Sequence, residues 1–339
     1  MWRFNSVDAG SGLPNHAAMS QLPVSSVSDD SLFDVAAGIL AEASAEAPAF
    51  ADVELTEVIR HAEGKKSVIR GSLSGQQSVF RLYHSRDDAC QRHWSELQRM
   101  WPLMGKGDAA ICEPLAYAPK AGVLAVAYVP GTPLLKYFYN SAPESRADWL
   151  IPAARWLRLY TDCSETDHEA GAEGWATRAT RAAGGQAFAR LRKLETPLIE
   201  EMQRLASMIE GHRWRVAIGH GDFHPNNLIA GPYPSLTGID CGGSRRMPIY
   251  KDMARFLMHM GRRGMIPSGD RYLGVDRAGL DAFADIFDLT EKERRLFLPF
   301  FIAVEALIRV ETRDLPNGRL RRATEMTEAL LNDIRQIGR

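Results

Sequence analysis

The side chains best suited to phosphoryl chemistry lie in one short polar segment and in a second segment that follows it. Asp222 is followed by Asn227 five residues later, and Asp240 comes eighteen residues after Asp222. Transfer of a phosphoryl group from a nucleotide needs a carboxylate that orients the attacking hydroxyl and accepts its proton, together with oxygen ligands for Mg²⁺. An Asp and an Asn on one tight loop, with a second Asp after a short strand, can supply both.

A simpler interpretation of such a segment is a turn, because isolated Asp residues in Gly- and Asn-rich loops usually form turns. Two further features argue for more than a turn. Apolar Leu228 and Ile229 follow the segment directly, and Ile239–Asp240 arrives behind a plausible hairpin turn at 231–234. The polar segment itself contains His220, Gly221, Asp222, Phe223, His224, Pro225, Asn226 and Asn227. This combination favours a catalytic loop.

Length and composition limit the class of protein. The 339 residues are too many for one small core and suit two lobes. Hydrophobic residues make up 45% and charged residues 24%, as in ordinary globular proteins. The formal net charge of −1 gives no basic field, so no nucleic-acid partner is expected. The four cysteines form no C-x-x-C pair, which suggests neither a zinc site nor a redox motif and fits a reduced, cytoplasmic interior.

The N-terminal segment and the apolar runs concern localisation. Residues 1–28 are rich in Ser, Gly, Pro and Asn and are predicted to form a flexible tail. This segment has no apolar stretch behind a basic start, so it is not expected to be a secretory signal. No apolar run approaches the roughly 20 residues that a membrane helix needs, and we therefore expect no membrane span.

The first half of the remaining chain alternates in the manner of strands. A helix is predicted from about residue 30 to 48, and a second helix ends near Pro102. Alternating apolar and polar residues predict three antiparallel strands in a meander before the second helix and two more strands after it. These strands are placed at 53–60, 67–73, 78–83, 112–118 and 122–129. The pattern indicates a five-stranded sheet with one inserted helix.

The second half of the chain is predicted to be mainly helical, apart from the polar region at 215–243. We expect an N-lobe at 29–130 and a helical C-lobe at 131–339, with a ligand cleft between the two. The helices are predicted at 143–161, 171–193, 195–211, 250–263, 277–285, 290–313 and 320–336.

The polar segment resembles the catalytic loop of the aminoglycoside phosphotransferase and choline kinase superfamily. That superfamily shows H-G-D-x-H-x-x-N, then I-D, then a Pro and D-x-A on the next helix; this chain has Ile239–Asp240, Pro248, and Asp252 two residues before Ala254. The resemblance spans about 50–335. It implies an α+β, two-lobe protein-kinase-like fold, with a small antiparallel five-stranded N-lobe sheet plus helix and a larger, mainly helical C-lobe.

The resemblance also implies roles for particular residues. Asp222 corresponds to the catalytic base, or to the group that orients the acceptor hydroxyl. Asn227 and Asp240 correspond to the ligands of Mg²⁺, with ATP as the second cofactor. His220 belongs to the catalytic loop and is expected to support it from beneath.

Two further residues are expected to act behind those that touch the substrates. His224 is interpreted as a support of the loop geometry, although it could also approach the substrate. Asp252 is expected to fix the catalytic loop from the following helix. A plain surface aspartate is the simpler alternative for Asp252.

The nucleotide side departs from the pattern of the superfamily. Arg81 stands on the third strand where relatives usually carry Lys, and Glu96 on the inserted helix is expected to pair with it. A strand arginine that merely reaches solvent is the simpler alternative. Lys65 and Lys66 could compensate for the replaced lysine. Ser67 is predicted to contact phosphate, together with backbone amides of the preceding loop.

The hinge between the lobes is predicted just before Pro130. Backbone groups from Ala127 to Val129 are expected to bind adenine there. The whole pattern predicts an ATP-dependent phosphotransferase that acts on a hydroxyl of a small molecule, which could be aminoglycoside-, choline- or sugar-like. A nucleotide-binding pseudokinase or regulator with little turnover is the alternative, motivated by Arg81. A helical scaffold without nucleotide is a third hypothesis.

The acceptor is not determined by the sequence. Glu311 and Asp314 suit a cationic acceptor, whereas Arg245 and Arg246 suit an acidic or phosphorylated one. All four are equally compatible with ordinary surface charge.

Overall fold

The computed structural model describes residues 29–85 and 88–338, so the tail predicted at 1–28 lies outside the described residues. The strands are β1 Val53–Ala62, β2 Lys66–Leu73, β3 Gln76–Tyr83, β4 Ala109–Ile111, β5 Pro114–Ala118, β6 Val123–Ala127, β7 Thr132–Pro133, β8 Thr166–Glu169, β9 Arg213–Gly219, β10 Leu228–Ala230, β11 Leu236–Gly238, β12 Arg245–Pro248, β13 Arg271–Tyr272 and β14 Val275–Asp276. The helices are α1 Asp29–Glu46, α2 Ala89–Met104, α3 Leu134–Asn140, α4 Pro143–Arg146, α5 Leu150–Asp162, α6 Ala172–Ala183, α7 Ala189–Ile209, α8 Tyr250–Gly261, α9 Arg277–Ile286, α10 Leu298–Ile308 and α11 Asn317–Ile334.

A five-stranded antiparallel sheet forms the N-lobe, with the strand order β1-β2-β3-β6-β5. The predicted meander of three strands is confirmed, and α2 is inserted after β3 as expected. Successive residues of a strand point to opposite faces of a sheet. Val123 and Ala125 accordingly face a small core with α1, while Leu124 and Val126 face the large core of the molecule.

The two cores explain why the sheet is apolar on both faces. Ala36, Leu40 and Ala43 of α1 pack over Ile69 and Phe80 on one face. On the other face, α2 joins a core that continues through the helices of the C-lobe. The observed α+β architecture, with a small sheet and a larger helical part, confirms the predicted fold class. The lobe boundary at residue 130 stays a prediction.

Short strands hold the two polar segments in place. β9 pairs with β12 and β8, and the catalytic loop leaves the end of β9. β10 and β11 form the predicted hairpin, and β11 also pairs in parallel with β4. Asp240 lies two residues after the end of β11, so both polar segments follow strands whose backbones are fixed by neighbours.

Several helix boundaries differ from the predicted ones. The break between α6 and α7 lies at Gly184–Gly185, because glycine favours helix ends, and not near residue 194. α7 continues through Pro197, since its apolar face is buried along its length. α3 and β8 were not predicted, because both are too short for a periodic signal. The helix predicted at 290–313 is a π turn at Glu293–Phe297 followed by α10, which ends at Ile308.

Two chemical features complete the description. Cys90, Cys112, Cys163 and Cys241 are all free thiols, and Cys163 is the exposed one among them. Across residues 29–85 and 88–338, no helix combines the length and the apolar character needed to cross a membrane.

Candidate active site

The catalytic loop depends on a glycine and on a buried aspartate. Gly221 has a φ of +80°, and a Cβ atom there would lie 2.1 Å from the carbonyl oxygen of Gly243. No other residue type fits this position without displacing the backbone. The N–H of Gly221 donates to both carboxylate oxygens of Asp252 at 3.2 Å. Asp252 is 2% exposed on α8, so this helix holds the loop from below, where the sequence placed it.

His220 lies beneath the loop and is fully buried. Its Nε2 donates to the carbonyl oxygen of Ile239 at 3.0 Å, and its Nδ1 accepts from the N–H of Asp222 at 3.4 Å. Both contacts require the tautomer with its proton on Nε2. Trp156 and Phe223 pack against the imidazole ring. His220 therefore connects the two polar segments and does not face the open cleft.

Asn227 links Asp222 to the segment that carries Asp240. Its side-chain N–H donates to the backbone carbonyl oxygen of Asp222 at 2.9 Å. The backbone carbonyl oxygen of Asn227 accepts from the N–H of Ile239 at 2.9 Å. Asp240 has a φ of +63°, a left-handed conformation that Asp tolerates better than most residues. The backbone bond between Asn227 and Ile239 holds the segment of Asp240 beside the catalytic loop. The side chains of Asn227 and Asp240 carry oxygen donors of the kind that suits Mg²⁺.

Two cations from the N-lobe reach the carboxylate of Asp240. Arg81 on β3 donates from Nη1 to Oδ1 at 2.8 Å, and Lys66 on β2 lies 3.1 and 3.3 Å from the two oxygens. Burial raises the pKa of Asp240, but the charges of Arg81 and Lys66 outweigh it and hold this pKa well below its usual value. Burial also lowers the pKa of Lys66, and Asp240 only partly opposes this shift. The sheet and the catalytic segment are therefore joined by ion pairs.

The predicted pairing of Arg81 with Glu96 is wrong. Glu96 accepts from Arg99 on the same helix at 2.5 and 2.9 Å and from the hydroxyl of Tyr160 at 2.5 Å. Arg81 instead donates from Nη1 to the carboxylate of Asp240. Glu96 thus anchors α2 to α5 and does not contact a group that would bind phosphate.

Ser67 lies on β2 beside Lys66, but its hydroxyl already has two partners. His61 Nδ1 lies 2.9 Å and His84 Nε2 lies 2.8 Å from Ser67 Oγ. Ser67 is also only 4% exposed. In this structure its hydroxyl is therefore not directed at a phosphate, and Lys66 is the basic residue of this region that reaches the site.

The predicted hinge offers a limited set of backbone groups. The N–H of Ala127 is used by the carbonyl oxygen of Glu113 at 2.9 Å, and the N–H of Tyr128 by that of Gln77 at 2.9 Å. Val129 follows two residues after the end of β6. The carbonyl of Ala127 and the backbone of Val129 remain the candidates for binding adenine.

Asp222 is surrounded by His224 of the same loop and by two arginines that the sequence analysis did not single out. Arg255 Nη2 donates to Oδ1 at 2.5 Å, Arg309 Nη2 lies 3.9 Å from the same oxygen, and His224 Nε2 lies 3.4 Å from Oδ2. Burial raises the pKa of Asp222, but His224 and Arg255 lower it by more, so the pKa lies far below its usual value. The other face of His224 stacks on His259, with ring centroids 4.4 Å apart.

Of the two arginine contacts, only that of Arg255 had a signal in the sequence. Arg255 lies three residues after Asp252 on α8, a spacing that places both on one side of a helix. If Asp252 contacts the loop, Arg255 must also lie near it. Arg309 had no such signal, because its position depends on where α10 ends.

A model of the phosphotransferase enzyme family that includes the aminoglycoside phosphotransferases matches residues 67–285. The chain belongs to this phosphotransferase family. The matched region runs from β2 to α9 and so includes Asp222, Asn227 and Asp240. Membership in the family argues against a chance occurrence of the motif on an unrelated helical scaffold. A comparison with curated protein sequences finds no match.

Solved structures of other phosphotransferases share the fold. A putative aminoglycoside phosphotransferase from Ralstonia eutropha has a TM-score of 0.57 at 13% identity, covering 90% of this chain and 99% of the other. A mutant of aminoglycoside phosphotransferase APH(4)-Ia in complex with AMP-PNP and hygromycin B gives 0.55 at 13%, covering 87% and 99%. Choline kinase LicA from Streptococcus pneumoniae gives 0.50 at 12%, covering 88% and 99%. These likenesses establish the protein-kinase-like fold.

Proposed function

We propose that the protein is an ATP-dependent phosphotransferase that transfers the γ-phosphoryl group to a hydroxyl of a small molecule. The observation that supports this most is the continuous chain of contacts through the site. Lys66 and Arg81 bind Asp240, the segment of Asp240 binds Asn227, and Asn227 binds Asp222. Phosphate-binding cations, metal-binding oxygens and a hydroxyl-orienting carboxylate are the parts that this reaction requires.

Asp222 is suited to orient the acceptor rather than to act as a strong base. Its pKa is held far below neutrality by His224 and Arg255, against the effect of burial, so it stays ionised and accepts a hydrogen bond from the hydroxyl. The transition state of phosphoryl transfer is loose and needs little proton removal beforehand. The acceptor oxygen forms the new bond to phosphorus, the bond to the bridging oxygen of ADP breaks, and the hydroxyl proton passes to Asp222 or to water.

The residues present fit Mg²⁺. The amide oxygen of Asn227 and the carboxylate of Asp240 are hard donors of the kind this ion prefers, and Asp240 already attracts two cations. When bound, Mg²⁺ neutralises charge on the β- and γ-phosphates. Lys66, which is less buried than Arg81, is the residue we expect to move from Asp240 to the phosphates of ATP.

On this proposal adenine lies against the hinge. The carbonyl oxygen of Ala127 accepts from its amino group, and the N–H of Val129 donates to its ring. The AMP-PNP complex of a family relative supports a nucleotide in this role.

A pseudokinase is the second candidate, and one observation favours it. Arg81 and Lys66 occupy the carboxylate that would hold the metal, and Arg81 stands where relatives carry Lys. A permanently charged arginine at 2.8 Å competes with Mg²⁺ more strongly than a distant lysine does. Such a protein would bind nucleotide without turnover.

Two measurements on the same preparation separate the candidates. Thermal unfolding with AMP-PNP and Mg²⁺ reports nucleotide binding, since a ligand at 100 times its Kd stabilises the folded state by about 2.7 kcal/mol. ATP turnover is then measured against a panel of amino alcohols, sugars, hydroxy acids and aminoglycosides. The proposed enzyme shows both stabilisation and acceptor-dependent turnover. Stabilisation without turnover, in both the wild type and Arg81→Lys, identifies a pseudokinase. If the protein shows neither stabilisation nor turnover, both candidates are contradicted.

A further inference from the structure

Asp222 faces two arginines of the C-lobe at the point where an acceptor must enter. Arg255 on α8 contacts Oδ1 at 2.5 Å, and Arg309, just after α10, approaches the same oxygen at 3.9 Å. The side chains of Asp222 and Arg309 are 44% and 42% exposed, so both border open space. A hydroxyl that reaches Asp222 therefore arrives beside a guanidinium group.

Glu305 and Glu311, the two glutamates of this region, are already paired within the protein. Glu305 is fully buried on α10 and forms a close ion pair with Lys251. Glu311 Oε1 accepts from two atoms of Arg262, closely from Nη2 and at 2.9 Å from Nε. The charge of Glu311, which the sequence analysis considered for a cationic acceptor, is thus neutralised within the protein.

The donors of the two arginines are only partly used. Both ion-pair contacts of Arg309, with Asp222 at 3.9 Å and with Glu305 at 3.7 Å, are longer than hydrogen bonds. The buried Nε atoms of Arg309 and Arg255 have no hydrogen-bond partner among the described residues. Arg255 is also more than nine-tenths buried. Guanidinium donors of this kind are best satisfied by a carboxylate or phosphate.

The basic character continues along one face of α8. Arg255 and His259 are four residues apart on one side of α8. Arg263 lies two residues after the end of this helix, and its Nη1 donates to the carbonyl oxygen of His259 at 2.7 Å. His259 stacks on His224 of the catalytic loop. Arg263 has no carboxylate within 4.0 Å among the residues that the structure describes, and burial with the neighbouring Arg319 lowers its pKa to about 10. Burial lowers the pKa of His259 well below its usual value, so the charge of this region comes from the arginines. Arg255, Arg263 and Arg309 are called the basic wall below.

We propose that the acceptor is a hydroxyl compound that also carries an anionic group, a carboxylate or a phosphate, which the basic wall binds through Arg309 while Asp222 orients the hydroxyl. This inference rests on the proposed phosphotransferase function. An amino alcohol or an aminoglycoside would bring positive charge against two guanidinium groups, and such repulsion discriminates against a cationic acceptor.

The test compares acceptor classes and one arginine. Acceptor-dependent ATP turnover is measured with hydroxy acids, sugar phosphates, neutral sugars and amino alcohols, for the wild type, Arg309→Gln and Arg295→Gln. Arg295 is the matched control, because it too is exposed and pairs with a glutamate four residues away. We expect turnover with the hydroxy acids or the sugar phosphates, which separates a carboxylate from a phosphate. Arg309→Gln should raise the KM for that acceptor at least tenfold and leave the KM for ATP and the Tm unchanged.

Other results would overturn the inference in distinguishable ways. Preferred turnover of amino alcohols or neutral sugars, unaffected by Arg309→Gln, contradicts the anionic acceptor and leaves the phosphotransferase function intact. If Arg309→Gln raises the KM for ATP and not that for the acceptor, Arg309 binds the nucleotide, and the inference of an anionic acceptor is again contradicted. If no acceptor class supports turnover, the proposed function and this inference are both contradicted. If Arg309→Gln does not fold, Arg263→Gln tests the same wall, with the same expected rise in acceptor KM.

Discussion

Asp240 is held by two cations whose surroundings differ. The side chain of Arg81 is 6% exposed and that of Lys66 is 24% exposed, although both reach the same carboxylate. An ion pair that is buried costs more to break than one in contact with water, because the remaining charge stays desolvated. The two residues therefore should contribute unequally to stability even though their contacts look alike.

Substituting each cation by methionine tests this difference. We expect Arg81→Met to lower the free energy of unfolding by about 2–4 kcal/mol, and Lys66→Met to lower it by at most about 1 kcal/mol. Urea unfolding at neutral pH measures both. Equal losses, or a larger loss for Lys66→Met, would contradict the account of the site.

The ionisation of Asp240 predicts a pH dependence of stability. Its unfolded-state pKa is about 3.9, and Arg81 and Lys66 hold the folded-state pKa lower in spite of burial. The unfolded chain therefore binds more protons in acid, and the stabilisation is complete above about pH 5 and is lost as the pH falls towards the folded-state pKa. In Asp240→Asn the free energy of unfolding should vary less steeply between about pH 2 and 5. Asp34→Asn, at an exposed position on α1, is the control and should keep the wild-type slope.

Site residues that are close together in the sequence could be predicted, whereas contacts between residues far apart in the sequence could not. Asp222, Asn227 and Asp240 were recognisable because they lie in one motif. The partner of Arg81 was not, since Arg81 and Asp240 are 159 residues apart and only the fold brings them together. The assignment of Glu96 failed although one of its partners, Arg99, lies three residues away on the same helix, because nothing in the sequence indicated that Glu96 would pair with Arg99 and not with Arg81.

Among the elements, those with a clear period were predictable and the short ones were not. β1, β2 and β3 alternate over eight or more residues and were placed closely. β4 and β11 have three residues each, and their pairing depends on contacts distant in sequence. These short strands are nevertheless what fixes Asp240 beside Asn227, so the geometry of the site depends on the elements that the sequence reveals least.

The catalytic loop itself gives a prediction at this scale. In Gly221→Ala the new Cβ would meet the backbone oxygen of Gly243 at 2.1 Å, so the loop must move. Gly75→Ala is a matched control, with a φ of +79° but no atom within 4 Å of the added Cβ. We expect Gly221→Ala to cost about 1–3 kcal/mol more than Gly75→Ala and to reduce turnover. Thermal unfolding of both variants measures the difference, and equal costs would show that the loop is not closely packed there.

The whole molecule joins its two lobes through α2 and through ion pairs. α2 belongs to the large core, and Lys66 and Arg81 connect the sheet to the segment of Asp240. The architecture was predictable because alternation and helical periodicity change near the middle of the chain. The closed contact between sheet and catalytic segment was not, because it depends on how the lobes approach one another.

Transfer of labelled phosphate from [γ-³²P]ATP to the acceptor found in the panel tests the central claim most directly. We predict label in the acceptor with the wild type and with Asp34→Asn, and a loss of at least about 100-fold with Asp222→Asn. Stabilisation by AMP-PNP with Mg²⁺ should persist in Asp222→Asn, which shows that the variant is folded. Undiminished transfer by Asp222→Asn would contradict the assignment of this carboxylate, and with it the proposed phosphotransfer centre.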